Sequence, residues 1–118
     1  MTLMKLDEMV RGWVVGDFEP TCYRTTACEV ACQRYQAGDR EPRHVHRVAT
    51  EITLIASGRA RMNGRLLEPG DIVILDPGDA TDFEALEATT AMVVKLPSVP
   101  GDKYLVDDPV ASEPALVS

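Results

Sequence analysis

The chain has 118 residues, of which 45% are hydrophobic and 26% charged, which is ordinary for one soluble globular domain. Its formal net charge of -7 at pH 7 is the wrong sign for binding a phosphate backbone or an anionic membrane surface, so nucleic acid and membrane are both excluded as expected partners. Three cysteines without the spacing of a disulfide framework, and a start without a signal-peptide core, predict a cytoplasmic protein.

The first 20 residues carry an ambiguous pattern. Apolar residues recur at roughly helical spacing from Leu3 to Trp13, which is compatible with a short amphipathic helix. Residues 13–18 read equally well as an extended edge segment. We assign residues 1–20 to an N-terminal segment that packs on the domain or on a partner molecule.

Strand signals dominate residues 21–106. Short runs rich in Val, Ile, Thr and Tyr alternate with turn residues, and about seven to nine such runs with almost no helix favour a β-sandwich or barrel. Asn63-Gly64 lies between two of these runs and predicts a hairpin, because a type I′ turn needs two positive φ angles. Residues 107–118 combine prolines and acidic residues and are predicted to form a flexible C-terminal tail.

Metal-binding potential is concentrated in residues 38–58. His44 and His46 are two residues apart, so on one strand both imidazoles share a face, about 7 Å apart at their Cα atoms. Both could then reach one ion at the usual bond length of about 2.0–2.1 Å. Glu51 lies an odd number of residues from both histidines, so on a continuous strand its side chain would point to the opposite face. A bend between His46 and Glu51 is needed to bring the three side chains together. With that bend, two imidazoles and one carboxylate form a divalent-metal site with open positions; alone, His-x-His is more often a chance pattern on a polar strand.

The same segment resembles the first sequence motif of the cupin superfamily: Gly, five residues, His-x-His, three or four residues, Glu, six residues, Gly. Gly38, His44, His46, Glu51 and Gly58 occupy its fixed positions. The resemblance implies an all-β fold, the double-stranded β-helix or jelly-roll barrel, with little helix. It also implies a divalent metal ion (zinc, iron, manganese or nickel) at one end of the barrel interior and, commonly, a homodimer.

The second cupin motif is incomplete in this chain. Thr81 stands at its His position, Ala85 at its Asn position and Asp76 at its Pro position. Cupin metal sites typically take a third histidine from this motif, and a neutral Thr hydroxyl is a poor ligand for a divalent transition metal. The resemblance therefore implies a metal site with one protein ligand fewer than usual.

Three interpretations of the site remain open. The ion is held by His44, His46 and Glu51 alone; or Asp79 or Asp82 supplies a further oxygen; or the site has lost its metal and binds an organic ligand. Tyr35, Thr81 and Asp82 are the remaining pocket candidates, without an assigned catalytic role.

Several other residues receive structural interpretations. Lys95 lies in an apolar run and is predicted to snorkel from an edge strand rather than act as a pocket cation. Cys28 and Cys32 are predicted to be core thiols, and Gln33 to face solvent. Asp102 follows Pro-Gly and is interpreted as part of a turn.

Fold alone does not select a function. Our leading hypothesis is a metal-dependent enzyme acting on a small polar metabolite such as a sugar derivative or an oxo- or hydroxy-acid, without a choice among isomerase or epimerase, lyase and oxygenase. The alternative is a non-catalytic ligand-binding or regulatory cupin that has lost its metal. Expected partners are a small molecule and a second copy of the chain, with the segment around Trp13 covering a sheet edge.

Overall fold

The computed structural model describes residues 1–106 and consists of two β-sheets. The one helical element in this range is a 3-10 turn at Leu6–Glu8, so the predicted all-β fold with little helix is confirmed. No helix in residues 1–106 has the length and apolar character needed to cross a membrane. The predicted tail, residues 107–118, lies outside the described residues.

Each sheet combines strands from distant parts of the sequence. The strands are β1 (Trp13–Gly16), β2 (Tyr23–Arg24), β3 (Glu29–Tyr35), β4 (Arg40–Val45), β5 (Thr50–Ser57), β6 (Ala60–Met62), β7 (Arg65–Leu67), β8 (Ile72–Leu75), β9 (Thr81–Ala85), β10 (Thr89–Leu96) and β11 (Tyr104–Leu105). The six-stranded sheet has the order β2-β1-β3-β10-β5-β8, and the five-stranded sheet the order β11-β4-β9-β6-β7.

The N-terminal segment enters the six-stranded sheet at Trp13 rather than continuing as a helix. Arg11 and Gly12 have φ angles of 50° and 81°, which a helix does not contain. A Cβ at Gly12 would lie 2.0 Å from the Cys32 carbonyl oxygen, so the backbone passes β3 more closely than a side chain allows. A short helix without packing partners is marginal in water, and here pairing with β3 prevails over the apolar spacing.

The Asn63-Gly64 hairpin is confirmed. It joins β6 to β7 with Met62 opposite Arg65, and its two central residues have φ angles of 50° and 77°. Both values are positive, as a type I′ turn requires.

The barrel interior changes from polar to apolar along its strands. In β5 the buried, inward-facing side chains are Glu51 and Thr53 near one end and Ile55 near the other. In β9, Thr81 gives way to Phe83 in the same way. The apolar end is closed by a core cluster that includes Ile55 and Phe83, which leaves the polar end as the place for a site.

Candidate metal centre

Strand β4 and the bend after it bring the chain's only two histidines together with Glu51. His44 lies in β4, and His46 follows it directly. The chain then bends through residues 46–49 into β5, which belongs to the opposite sheet, so Glu51 faces the histidines from there. All three side chains are buried, and one ligand atom from each lies within 4.8 Å of the other two.

Backbone carbonyls orient both imidazoles. His44 Nδ1 lies 2.9 Å from the Pro42 carbonyl oxygen, and His46 Nδ1 donates to the carbonyl oxygen of Asp102. A carbonyl only accepts, so each ring carries a proton on Nδ1 and presents Nε2 as its remaining nitrogen, the arrangement of histidines that bind metal through Nε2. Burial lowers the pKa of His44, which keeps this ring neutral and able to donate a lone pair.

Glu51 completes the donor set as a carboxylate. Its Oε1 lies 2.9 Å from His46 Nε2, and its Oε2 accepts from the Thr53 hydroxyl at 2.9 Å. Burial acts to raise the pKa of Glu51, but the hydrogen bond and charge of His46, with help from Thr53 and Lys95, bring it below its ordinary value.

The contact between His46 Nε2 and Glu51 Oε1 has a direct chemical consequence. Because His46 Nδ1 already carries a proton, a hydrogen bond from Nε2 requires a second proton on the same ring. A divalent cation can replace that proton and satisfy both atoms. Two imidazole nitrogens and one carboxylate oxygen form a donor set that zinc and related divalent ions accept, so the residues present fit a metal ion.

Asp102 secures the bend that carries His46. Its carboxylate accepts hydrogen bonds from three successive backbone N–H groups, those of Arg47 at 2.8 Å, Val48 at 3.1 Å and Ala49 at 2.9 Å. Burial acts to raise the pKa of Asp102, but these three N–H groups outweigh it and lower the pKa. Asp102 therefore positions His46 twice, through its carbonyl and through its side chain.

Thr81 and Tyr35 also line the space around the metal ligands. Thr81 is the cross-strand partner of His44 and is 2% exposed, and its hydroxyl donates to the Asp82 carbonyl at 2.8 Å. The Tyr35 hydroxyl lies 2.8 Å from Glu41 Oε2. Burial, reinforced by the Glu41 charge, raises the pKa of Tyr35, so the phenol keeps its proton.

These residues surround one cavity of about 760 Å³. His44, His46 and Glu51 line it together with Tyr35 and Thr81. The volume is within the range of small-molecule sites.

Comparison with known proteins gives a fold and no close relative. No protein-family model matches the chain, and no curated protein matches it. Among solved structures, it is similar to an uncharacterized protein with a double-stranded β-helix domain from Klebsiella pneumoniae, with a TM-score of 0.69, 24% identity, and coverage of 90% of this chain and 92% of that one. It is also similar to a cupin-superfamily sugar phosphate isomerase from Silicibacter pomeroyi, with a TM-score of 0.62 and 23% identity over 70% of this chain and 58% of that one. The chain folds as a small cupin.

A third similar structure is the DMSP lyase DddQ from Ruegeria pomeroyi, with a TM-score of 0.65, 23% identity, and coverage of 86% of this chain and 55% of that one. The chain matches a little over half the length of the isomerase and lyase chains. Identities this low establish the shared fold, and the chemistry of the site has to be argued from this chain's own residues.

Two acidic candidates do not line this cavity. Asp82, predicted as a pocket residue and as a possible ligand, is exposed, and its carboxylate accepts from the Asn63 N–H at 2.8 Å. Asp79 is also exposed and accepts from the Asp76 N–H at 2.9 Å. The Asp82 interpretation was wrong because neighbours on a strand face opposite ways, and Thr81 is the inward-facing one.

Three further sequence interpretations need correction. Lys95 is not on an edge strand, because β10 pairs with β3 on one side and β5 on the other, and its side chain is 17% exposed and lines the cavity. Gln33 lines the cavity as well. Cys28 and Cys32 are only partly buried, while Glu29 is buried. Hydropathy alone predicted that the polar side chains of β3 face solvent. Because this end of the barrel is polar inside, Glu29 and Gln33 instead face the cavity.

Asp102 is the functional residue that sequence reasoning missed. An acidic residue after Pro-Gly has the composition of an ordinary turn. Its partners are 53 to 55 residues away, so no local spacing signals the contact.

Proposed function

We propose that this cupin binds one divalent metal ion through His44, His46 and Glu51 and acts on a small polar metabolite in the adjoining cavity. The observation that carries the proposal is the orientation of the donors. Both rings donate from Nδ1 to backbone carbonyls, which leaves Nε2 for the ion, and an ionised carboxylate lies within 4.8 Å of both. Zinc, iron, manganese and nickel all accept such ligands.

When bound, the ion supplies Lewis-acid polarisation of a carbonyl or hydroxyl oxygen of the metabolite. The protein supplies the rest. Thr81 is small and stands where a third imidazole would otherwise fill the cavity, so it leaves room for the metabolite. Tyr35 remains protonated, and its hydroxyl lies within hydrogen-bonding distance of the Glu41 carboxylate. The phenol can therefore donate a hydrogen bond to an oxygen of the metabolite, and the Glu41 carboxylate can accept a proton from it.

The substrate we propose is a sugar derivative or an oxo- or hydroxy-acid, because each offers adjacent oxygens for the ion and for side-chain donors. Two of the similar structures are named as an isomerase and a lyase, which supports an enzymatic role for this fold. The alternative, a non-catalytic ligand-binding cupin without metal, is favoured by one observation: Thr81 replaces the third histidine.

Calorimetric titration of untagged protein with Zn²⁺ separates these two functions. We expect one ion per chain, and we expect Glu51→Gln to weaken binding by roughly tenfold or more, since second-shell changes alone cost that much in metal sites. Glu41→Gln is the matched control: it removes a carboxylate from the same cavity without touching the donor set, and it should bind Zn²⁺ like the wild type.

Absence of Zn²⁺ binding in the wild type, or equal binding by Glu51→Gln, would end the metal proposal and leave the ligand-binding alternative. The enzymatic part is tested by turnover of a panel of hydroxy-acids, oxo-acids and sugar acids. Turnover should disappear with a chelator and return with added metal.

A further inference from the structure

A charged row crosses the inner face of the six-stranded sheet next to the metal centre. In the strand register, Lys95 of β10 is the direct neighbour of Glu29 on β3 and of Glu51 on β5. All three side chains line the same cavity. Adjacent strands are about 4.8 Å apart, so Lys95 lies one strand away from a proposed metal ligand.

Glu29 is held firmly on the far side of this row. It is 6% exposed, and its Oε2 accepts a hydrogen bond from the Ser98 hydroxyl at 2.8 Å. The same Ser98 oxygen accepts the Asp17 N–H at 2.9 Å. Glu29 is thus fixed by its own partners and does not depend on Lys95 for its position.

The ammonium group of Lys95, in contrast, donates no hydrogen bond to another residue of the described range. Its Nζ lies 3.9 Å from Glu29 Oε1, beyond hydrogen-bonding distance, and 4.8 Å from the centre of the Trp13 ring. Within residues 1–106 it makes no hydrogen bond to the protein. An ammonium has three donors, and a side chain that is 17% exposed leaves them facing the cavity, where water or a ligand must meet them.

We propose that Lys95 binds the carboxylate of the metabolite while an oxygen on the neighbouring carbon of the same molecule faces His44, His46 and Glu51. This inference rests on the proposed function and narrows its substrate class to small hydroxy- or oxo-carboxylic acids, sugar acids included. Lys95 is then the residue that selects acids over neutral sugars.

A carboxylate suits this position better than a phosphate. Lysine is a compact point charge, whereas planar bidentate recognition of phosphate favours arginine. Glu29, Glu41 and Glu51 also line the cavity, and their negative charges oppose a phosphate group, which carries close to two negative charges at neutral pH. Arg11, Arg34 and Lys103 line the cavity as well, and Lys95 is the one of these four cations that lies directly beside Glu51 in the strand register. Its single positive charge matches the single negative charge of a carboxylate.

The test is titration of the Zn²⁺-loaded protein with glycolate, a two-carbon hydroxy-acid, and with ethylene glycol, its neutral counterpart. We expect the wild type to prefer glycolate, and Lys95→Met to weaken glycolate binding by about tenfold or more, as expected for losing a charge-assisted hydrogen bond. Ethylene glycol binding should not change. Lys95→Arg should keep most of the affinity, and Lys95→Gln serves as a second neutral variant in case Lys95→Met does not fold.

The matched control is Arg61→Met. Arg61 is a cation 47% exposed and paired with Glu84 at 3.3 Å, so its loss removes the same net charge from the protein without touching the cavity. Glycolate binding by this variant should equal that of the wild type.

Three results would overturn the inference: no glycolate binding by the wild type at millimolar concentrations, equal binding by the neutral Lys95 variants, or a preference for inorganic phosphate over glycolate. Zn²⁺ binding distinguishes a failure of this inference from a failure of the proposed function. Lys95→Met should bind Zn²⁺ at least as tightly as the wild type, because a positive charge has been removed from beside Glu51. If no variant binds Zn²⁺, the metal proposal fails, and glycolate titration of the metal-free proteins decides the role of Lys95 alone.

Discussion

Replacing Asp102 by Asn should destabilise the protein although the two side chains have the same shape. The Asp102 carboxylate accepts three backbone N–H groups: Oδ1 that of Arg47, and Oδ2 those of Val48 and Ala49. Asn has one acceptor oxygen, and its NH₂ group would face at least one of these N–H donors.

The magnitude follows from the bonds lost. One or two hydrogen bonds to a charged acceptor disappear, each contributing about 1.5–3 kcal/mol, so we expect the free energy of unfolding to fall by about 1.5–6 kcal/mol at pH 7. The pKa of Asp102 is lowered in the folded protein from an ordinary value of 3.8. The carboxylate therefore stabilises the fold above that value and loses this effect as pH falls through the folded-state pKa, and the difference between wild type and variant should shrink below about pH 4.

The assay is urea unfolding of the metal-free proteins, followed by the fluorescence of Trp13, the single tryptophan. Asp71→Asn is the matched control, because the side-chain carboxylate of the exposed Asp71 accepts one backbone N–H, that of Glu68, a bond that Asn can also make. We expect that control to change stability by less than about 1 kcal/mol. Equal stability of Asp102→Asn and wild type at pH 7 would show that the Asp102 carboxylate does not stabilise the bend at Arg47.

Three other predictions follow from the same structure. Thr81→His should restore an imidazole beside His44 and tighten Zn²⁺ binding by about 1–3 kcal/mol in calorimetric titration; unchanged affinity would mean that this position does not face the ion. Burial lowers the pKa of His44 in the folded protein from 6.5. As pH falls, the His44 ring is therefore protonated in the unfolded chain before it is protonated in the folded protein. The free energy of unfolding of the metal-free protein should then fall as pH drops below about 6.5, less steeply for His44→Gln; equal slopes would contradict this. The homodimer remains a prediction: Ile72 and Ile74 on the edge strand β8 are 62% and 60% exposed, so Ile74→Lys should shift a dimer to monomer in light scattering, and a wild type that is monomeric at high concentration would count against it.

The fold and the three candidate metal ligands could be predicted because their signals are local. Short alternating strands and a two-residue turn at Asn63 specify an all-β chain. His44, His46 and Glu51 lie within eight residues of one another, so a strand and one bend suffice to gather them. Strand alternation predicts the β class, and the resemblance to the first cupin motif singles out these three residues from a spacing that is weak evidence by itself.

The rest of the site depends on contacts that sequence spacing does not encode. Asp102 meets the bend at Arg47 from 55 residues away. Lys95 looked like an edge residue because nothing in an apolar run reveals that its strand has neighbours on both sides. Gln33 was assigned to solvent because the usual rule places polar side chains outside, and that rule fails where a barrel encloses a wet cavity.

The most direct test of the central claim is a crystal structure of the untagged protein grown with Zn²⁺, with anomalous diffraction collected at the zinc edge. We expect one strong anomalous peak about 2.0–2.2 Å from His44 Nε2, His46 Nε2 and a carboxylate oxygen of Glu51. An anomalous map without a peak there, with His46 Nε2 still hydrogen-bonded to Glu51, would contradict it.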